Sequence, residues 1–219
     1  MKQGRKEAHG PLEGQARATL RQAARTMAGV ERSCARSLAA AAEIVIACLE
    51  GGGTVFFCGN GGSAADAQHL ACELSGRYLM DRPGLAAVSL TTNSSALTAI
   101  ANDYGYDAVF ARQLEGVGAP GDVLVALTTS GRSPSVVNAV HAAHACGMVV
   151  VGFTGAKGRR FAAQCDHALI APATVTPRIQ EAHIALGHTL CELVERAIFA
   201  RPARERRGAR RARTRAKAT

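Results

Sequence analysis

The sequence predicts an α/β protein in which a central parallel sheet of five strands is covered by helices on both faces. Five short apolar runs predict the strands: 54–58, 85–90, 123–127, 149–153 and 168–170. The runs lack the alternation of a half-exposed strand, which is typical of parallel strands buried on both faces. Each of the first four is followed by a polar or glycine-rich stretch and then by a helix-like segment. This order predicts a three-layer sandwich.

Two helices are predicted ahead of the sheet, over residues 12–49. Leu20 and Met27 belong to one apolar series at helical spacing, and Leu38 and Leu49 belong to a second. The run of three glycines that follows is expected to end the second helix, because glycine is common just after a helix C-terminus.

The body of the chain is predicted to be one domain, since no internal repeat or linker divides it. A long amphipathic helix over 178–199 is expected to end this domain. The predicted segments are a polar N-terminal tail over 1–11, a domain over 12–199 and a basic tail over 200–219. Within the domain, the N-terminal helices occupy 12–50, and the sheet with its helices occupies 54–199.

The positive charge of the chain is concentrated at its C-terminal end. The net charge is +9, and residues 201–219 contribute +8 of it, from nine Arg or Lys and one acid, Glu205. A segment this highly charged has few apolar side chains to bury, and the sequence therefore predicts a disordered tail. Such a tail either contacts nucleic acid or another polyanion through phosphate groups, or serves as a solubilising extension.

The cysteine pattern predicts a protein of the reducing cytoplasm. Seven cysteines are scattered along the chain, none of them in a CxxC motif, and several fall within apolar runs. The N-terminal residues lack the apolar stretch of a secretory signal. No apolar run approaches the roughly 20 residues needed to span a bilayer, so no membrane partner is expected.

The loop over 59–63, between the first strand and the next helix, is the first candidate for binding phosphate. Its glycines let the backbone approach an anion closely, and the helix that follows offers free N–H groups. The spacing of these glycines also matches a dinucleotide fingerprint. That alternative is disfavoured, because the next strand ends in 89–93 (SLTTN) without the acid that holds a ribose. A P-loop is excluded, since no Lys follows the glycines.

The loop over 128–133 is the second candidate. It places four hydroxyls within six residues, after one strand and before a helix. A simple helix N-cap needs only one Ser or Thr, and that alternative accounts for Ser133 but not for the other three hydroxyls. We therefore expect both loops to hold a phosphate ester at the carboxyl edge of the sheet.

Four strings carry a resemblance to a known family: CGNGGSAADAQHLACELSGRY, AIANDYGYD, GDVLVALTTSGRS and RIQEAHIALGH. Together they resemble the sugar isomerase (SIS) domain family, and within it the phosphoheptose isomerases, over roughly residues 12–199. The resemblance implies the SIS fold, a homotetramer and one zinc per subunit. It also implies an aldose–ketose isomerisation, through an enediol, between sedoheptulose 7-phosphate and D-glycero-D-manno-heptose 7-phosphate.

The same resemblance implies specific site residues. The implied zinc ligands are His69, Glu73, Gln180 and His188, and the implied base and acid are Glu73 and His188. The implied substrate contacts are Asn60, Gly61, Gly62, Ser63, Glu73, Asn102, Asp103, Thr128, Thr129, Ser130, Ser133 and Gln180.

Helical spacing supports part of this set. His69 and Glu73 are four residues apart, so both project from one face of a helix, as in a chelating pair or an ordinary surface pair. Gln180 and His188 are eight residues apart, about 12 Å along a helix, and either straddle one metal or serve the sites of neighbouring subunits. A zinc-bound carboxylate is a poor base, and a zinc-bound imidazole nitrogen cannot donate a proton. Either the ligands exchange during turnover, or one of the implied roles of Glu73 and His188 is overstated.

Two other functions remain open on the sequence alone. Some SIS proteins are non-catalytic partners of the bacterial replication initiator, and others sense sugar phosphates. The presence of Glu73 and His188 favours the enzyme over the non-catalytic partner. A sensor whose basic tail contacts nucleic acid is disfavoured, because the sequence has no recognisable DNA-reading motif. Two residues depart from the family pattern, namely Arg132, where Asn is common, and Pro177, where an acid is common.

Overall fold

The structure, a computed structural model, describes residues 10–200 and contains five strands and seven α-helices in that range. The strands are β1 (Val55–Gly59), β2 (Ala87–Ser89), β3 (Val123–Thr128), β4 (Val149–Gly155) and β5 (His167–Ala171). The helices are α1 (Gly10–Glu50), α2 (Gly62–Ser75), α3 (Ser94–Tyr104), α4 (Ala111–Val117), α5 (Pro134–Ala145), α6 (Arg159–Ala162) and α7 (Thr176–Phe199). A short 3₁₀ turn, Tyr106–Ala108, follows α3.

All the strands pair in parallel, in the order β2-β1-β3-β4-β5. Side chains alternate between the two faces of the sheet, so each face has its own core. Phe57 and Val125 pack with buried residues of α1, α2 and α7 on one face. Phe56 and Leu124 pack with those of α4 and α5 on the other. The predicted three-layer sandwich with five parallel strands is thus confirmed.

The prediction of two N-terminal helices was wrong, because α1 is one continuous helix of 41 residues. The segment between the two apolar series consists mostly of polar or small residues, with Val30 and Cys34 among them. Val30, Cys34 and Leu38 nevertheless follow at intervals of four and are all buried, so they continue one face across the gap. Gly29 does not interrupt the helix, since it lies against Pro172.

The predicted tails lie almost wholly outside the described residues. Of the segment 1–11, only Gly10 and Pro11 are described, and they begin α1. Of the basic segment 200–219, only Ala200 is described. Within residues 10–200, no helix combines the length and the apolar character needed to cross a membrane.

One polar side chain of the core gives the fold a pH dependence. His183 on α7 is fully buried, and its ring packs edge-on against Phe153 with 5.8 Å between ring centroids. Burial lowers the pKa of His183 to about 4, from 6.5. Below pH 6.5 the unfolded chain therefore binds a proton that the folded chain does not.

We expect the free energy of unfolding to fall by about 2 kcal/mol between pH 7 and pH 5 because of this residue. The loss begins as pH drops below 6.5 and ends near pH 4, where the folded state also binds the proton. Urea unfolding at several pH values measures it. His183→Leu is the control, because it removes the titrating group. An equal pH dependence in both proteins would contradict the assignment.

Candidate functional site

In the sheet, β2 lies on one side of β1, and β3, β4 and β5 follow in order on the other side. The topological switch point is therefore between the neighbouring strands β1 and β3. In doubly wound sheets, ligands bind in the crevice that opens at such a switch point, beyond the carboxyl ends of the strands. The two predicted loops follow β1 and β3 and therefore flank this crevice. The fold thus brings together two segments that are about 70 residues apart in the sequence.

Asn60 joins the two loops. Its Nδ2 donates to Ser135 Oγ at 2.9 Å and to Ser133 Oγ at 3.3 Å. Its Oδ1 accepts from the hydroxyl of Tyr106 at 2.9 Å. Both N–H groups of the amide are therefore used within the protein, and only acceptor capacity on Oδ1 remains. In this structure the Asn60 side chain aligns the loops around the crevice.

Two side chains of the loop over 128–133, the hydroxyl loop, accept hydrogen bonds from the backbone of the same loop. The Gly131 N–H donates to Thr128 Oγ1, and the Arg132 N–H donates to Ser130 Oγ, both at 3.2 Å. A hydroxyl that accepts from the backbone keeps its proton for an acceptor elsewhere, such as a phosphate oxygen. Thr129 is half-buried and Ser130 is exposed, whereas Thr128 is buried.

Ser133 occupies the N-cap position of α5, as its place in the sequence suggested, but its side chain makes no capping hydrogen bond. Its hydroxyl instead contacts Asn60. A simple helix cap therefore does not explain this hydroxyl. The N-terminus of α5 lacks a side-chain cap, as expected of a helix end that receives an anion.

The loop over 59–63, the glycine loop, needs glycine at two positions. Gly61 has φ +57°, a left-handed conformation that costs a side-chain-bearing residue strain. A Cβ on Gly62 would overlap the amide of Gln180, so the Gln180 side chain covers this glycine closely. Ser63 is buried beneath the loop at the start of α2.

Three side chains converge farther along α2 and α7. His69 Nε2 lies 3.1 Å from Glu73 Oε1 and 2.9 Å from His188 Nε2. One ligand atom from each residue lies within 4.8 Å of the other two, as in a site that could hold a metal ion. His69 is half-exposed and the other two are partly buried, so the cluster is open to a substrate.

Close packing of two helices creates this cluster. Gly187 on α7 has no side chain, and a Cβ there would lie 2.5 Å from the Leu70 methyl groups on α2. Gln180 lies against Gly62 and Gly187 against Leu70, so the two helices run in the same direction. His188, which follows Gly187, is thereby carried to His69, which precedes Leu70.

Gln180 lies at the glycine loop rather than in the His–Glu–His cluster. Gly62, which it covers, is seven residues before His69, about 10 Å along α2. Asn102 and Asp103 lie exposed near the end of α3, and their side chains bond to each other at 2.8 Å. Their predicted roles in binding, and that of Gln180 as a ligand, stay predictions.

This chain is similar to known proteins in both sequence and fold. Residues 20–155, more than half of the chain, match the SIS domain family. The phosphoheptose isomerase of Rhodospirillum rubrum is 57% identical over 165 residues, which cover 75% of this chain and 88% of that protein. This chain belongs to the SIS-domain phosphoheptose isomerase family.

Two further comparisons support membership of the phosphoheptose isomerase family. The phosphoheptose isomerase of a Bradyrhizobium species (strain ORS 278) is 52% identical over 181 residues, which cover 80% of this chain and 91% of that protein. The solved structure of the Neisseria gonorrhoeae phosphoheptose isomerase superposes with a TM-score of 0.80 at 44% identity. That match covers 84% of this chain and 98% of the other.

Three residues that contact the candidate site were not predicted from the sequence. Tyr106 and Ser135 hold Asn60, and the Tyr78 ring lies 5.8 Å from the His188 ring. Ser135 was detectable in principle, because it lies two residues beyond the hydroxyl loop. The tyrosines were not, because their contacts span 46 and more than 100 residues of sequence.

The two departures from the family pattern have simple structural settings. Pro177 lies in the first turn of α7, where its missing N–H would have no helical partner. Arg132 is exposed on the hydroxyl loop, and its backbone N–H donates a hydrogen bond to the Ser130 hydroxyl. Neither departure disturbs the His69–Glu73–His188 cluster.

Proposed function

We propose that this protein is a phosphoheptose isomerase, which interconverts sedoheptulose 7-phosphate and D-glycero-D-manno-heptose 7-phosphate. The observation that carries the proposal is the convergence of His69, Glu73 and His188 on the helices α2 and α7, near the two loops that are candidates for binding phosphate. The family relationship supports the same reaction. A non-catalytic binding protein would not need a carboxylate and two imidazoles within hydrogen-bonding distance of one another.

The layout suits a long sugar phosphate. The glycine loop lies at the start of α2, and His69 lies two turns later, about 10 Å along the helix. A phosphate held between the loops would leave the other end of a seven-carbon sugar near the cluster. The site therefore separates recognition of the phosphate from the chemistry at C1 and C2.

In the proposed reaction, the Glu73 carboxylate removes a proton from C1 of the ketose, and the C1–H electron pair forms the enediol double bond. Glu73 then returns the proton to C2, which makes the aldose. His188 moves the second proton, from the C1 hydroxyl to the C2 oxygen. One base and one acid thus suffice, and no redox partner is needed.

We further propose that His69, Glu73 and His188 hold one zinc ion per subunit. The resemblance implies Gln180 as a fourth ligand, whereas its side chain lies against Gly62 in this structure. The donor set fits, since two imidazoles and a carboxylate are common zinc ligands. When bound, the ion supplies positive charge that favours negative charge on the sugar oxygens. His69 is then a pure ligand, while Glu73 and His188 have two roles each.

The deciding experiment is incubation of the purified protein with ketose phosphates of five, six and seven carbons. NMR would follow formation of the corresponding aldose phosphates. Conversion of sedoheptulose 7-phosphate, with slower or no conversion of the shorter sugars, is expected. No conversion of any of these substrates by metal-loaded protein would overturn the proposal.

Assembly and location belong to the same proposal. We propose a homotetramer working in the cytoplasm. The first half of α1 is largely exposed, with Leu12 and Leu20 65% and 69% accessible, and such a surface supports packing of subunits. All seven cysteines are free thiols, which fits a reducing compartment. Light scattering of the full chain would test the oligomeric state.

The hydroxyl loop gives a prediction about binding. Thr129→Ala or Ser130→Ala is expected to raise the KM for the phosphorylated sugar about ten- to a hundredfold. A hydrogen bond to a charged group is worth about 1.5–3 kcal/mol, and about 1.4 kcal/mol corresponds to one decade of affinity. Turnover should fall less, because the phosphate lies away from the reacting carbons. Steady-state kinetics measure both effects.

Ser33→Ala is the matched control for these two variants. The Ser33 hydroxyl is exposed on α1 and donates to the Gly29 carbonyl at 2.8 Å, away from the crevice. Its removal should leave KM unchanged. If Thr129→Ala and Ser130→Ala also leave KM unchanged, the phosphate binds elsewhere.

A further inference from the structure

A buried ion pair, Arg82–Glu195, lies next to the His69–Glu73–His188 cluster. The Arg82 and Glu195 side chains are each 1% exposed, and Arg82 Nε donates to Glu195 Oε1 at 2.9 Å. Glu195 also accepts from three consecutive backbone N–H groups, those of Tyr78, Leu79 and Met80, at 2.8–3.1 Å. One carboxylate thus organises the segment that follows α2.

Arg82 holds the C-terminal end of α2 in the same way. Its guanidinium donates to the carbonyl oxygens of Glu73 at 2.8 Å and Leu74 at 2.7 Å, and also to those of Gly76 and Pro83. The last carbonyls of a helix have no partner within the helix, and a cation there also opposes the helix dipole. Arg82 therefore fixes the last turn of α2, which contains Glu73.

The network reaches the cluster by two contacts. Glu73 is a member of the cluster, and Arg82 bonds to its backbone carbonyl. Tyr78 donates its N–H to Glu195, and its ring lies 5.8 Å from the His188 ring. Glu195 follows His188 by seven residues, two turns of α7, so both lie on nearly the same face of that helix. The pair thus links the α2 ligand to the α7 ligand.

The bonding of Glu195 keeps it charged. Burial alone would raise the pKa of this carboxyl, but the N–H groups of Leu79, Met80 and Tyr78 and the Arg82 side chain outweigh burial and lower it. A buried ion pair is seldom a large source of stability, because both charges lose their hydration. What a fully hydrogen-bonded pair does supply is a fixed geometry, and here that geometry is next to the cluster.

We propose that Arg82 and Glu195 are positioning residues, which set the affinity of the His69–Glu73–His188 cluster for zinc and its alignment for proton transfer. They do so by fixing the backbone of Glu73 and the Tyr78 ring. Neither residue belongs to the cluster itself. The inference rests on the proposed isomerase function for its kinetic part, and on the cluster alone for its metal part.

Glu195→Gln is the first test, since it keeps the shape of the side chain and removes the charge. We expect the zinc affinity, measured by competition with a chromophoric chelator, to weaken about 10- to 100-fold, as is typical when a partner behind a ligand is lost. At saturating zinc, kcat should still fall while KM changes little. Glu115→Gln is the control, because it breaks the exposed Arg112–Glu115 pair, also 2.9 Å long, on α4.

Circular dichroism and the thermal midpoint separate positioning from folding. A folded Glu195→Gln variant with normal zinc affinity and normal kcat would overturn the proposal, whatever its midpoint. If that variant does not fold, Arg82→Lys takes its place, since Lys keeps the charge but lacks the planar fork that reaches several carbonyls. If neither folds, Tyr78→Leu tests the contact with His188, because it leaves the buried pair intact and removes the phenol ring beside His188.

Normal zinc affinity and kcat in a folded Arg82→Lys variant would overturn the proposal in the same way. The same result in a folded Tyr78→Leu variant would overturn the route through the Tyr78 ring. The zinc titration needs no substrate, so it remains decisive if the wild-type protein fails to isomerise the heptose phosphate. In that case the proposed reaction is wrong, while the positioning role is still tested by the zinc titration. If the wild type is active and the folded variants bind zinc and turn over normally, the positioning role fails alone.

Discussion

Glu73→Gln and His188→Ala are each expected to lower turnover by at least about 100-fold. A positioned acid or base typically contributes 10²- to 10⁴-fold, and these two residues are assigned the two proton transfers. The structure places both within reach of His69, on helices that packing holds together. The amide introduced by Glu73→Gln would keep the shape of the carboxylate but could not accept the proton from carbon.

Steady-state assays of metal-loaded, purified variants measure this effect. Glu31→Gln and His141→Ala are the matched controls, since Glu31 is exposed on α1 and His141 bonds to Gln164 away from the crevice. Both controls should keep wild-type turnover. If Glu73→Gln or His188→Ala also keeps near-normal activity, the role assigned to that residue is wrong.

His69→Ala is expected to abolish stoichiometric zinc binding, taking the metal content from about one ion per subunit to near zero. His69 contacts both other members of the cluster, and its loss leaves one carboxylate and one imidazole on different helices. Zinc sites in enzymes usually need three protein ligands. Elemental analysis of protein purified without chelator measures the content, with His141→Ala as the control.

Two results would contradict this metal assignment. Retention of zinc by His69→Ala would show that the ion is held elsewhere. Full activity of the wild type after exhaustive chelation, with the metal confirmed absent, would show that it is not essential. A loss of both metal and activity in His69→Ala, restored by neither added zinc nor substrate, is the expected pattern.

The two experiments together separate the two roles of Glu73. A zinc-bound carboxylate is a weak base, so binding and proton abstraction compete for the same oxygens. If Glu73→Gln keeps its zinc and loses turnover, its main role is that of the base. If it loses both, the ligand role cannot be separated from the base by this substitution, and activity at saturating zinc becomes the deciding measurement.

Much of the fold was predictable because its cause is local. Non-alternating apolar runs predicted the five strands, and glycines and hydroxyls after β1 and β3 predicted the loops at the carboxyl edge. The continuity of α1 has a less local cause. Val30 and Cys34 connect the two apolar series into one buried face, and their burial depends on distant parts of the fold.

The strands, the two loops at the carboxyl edge and the spacing of His69 and Glu73 were predictable from the sequence alone, because each depends on neighbours within one strand or one helical turn. Which of these segments meet depends on how the folded chain packs. His188 reaches His69 across 119 residues because Gly187 lets α7 approach Leu70 of α2. Asn60 meets Ser135 because β1 and β3 are neighbours. Contacts of this kind depend on how the helices and strands pack, which local periodicity does not specify.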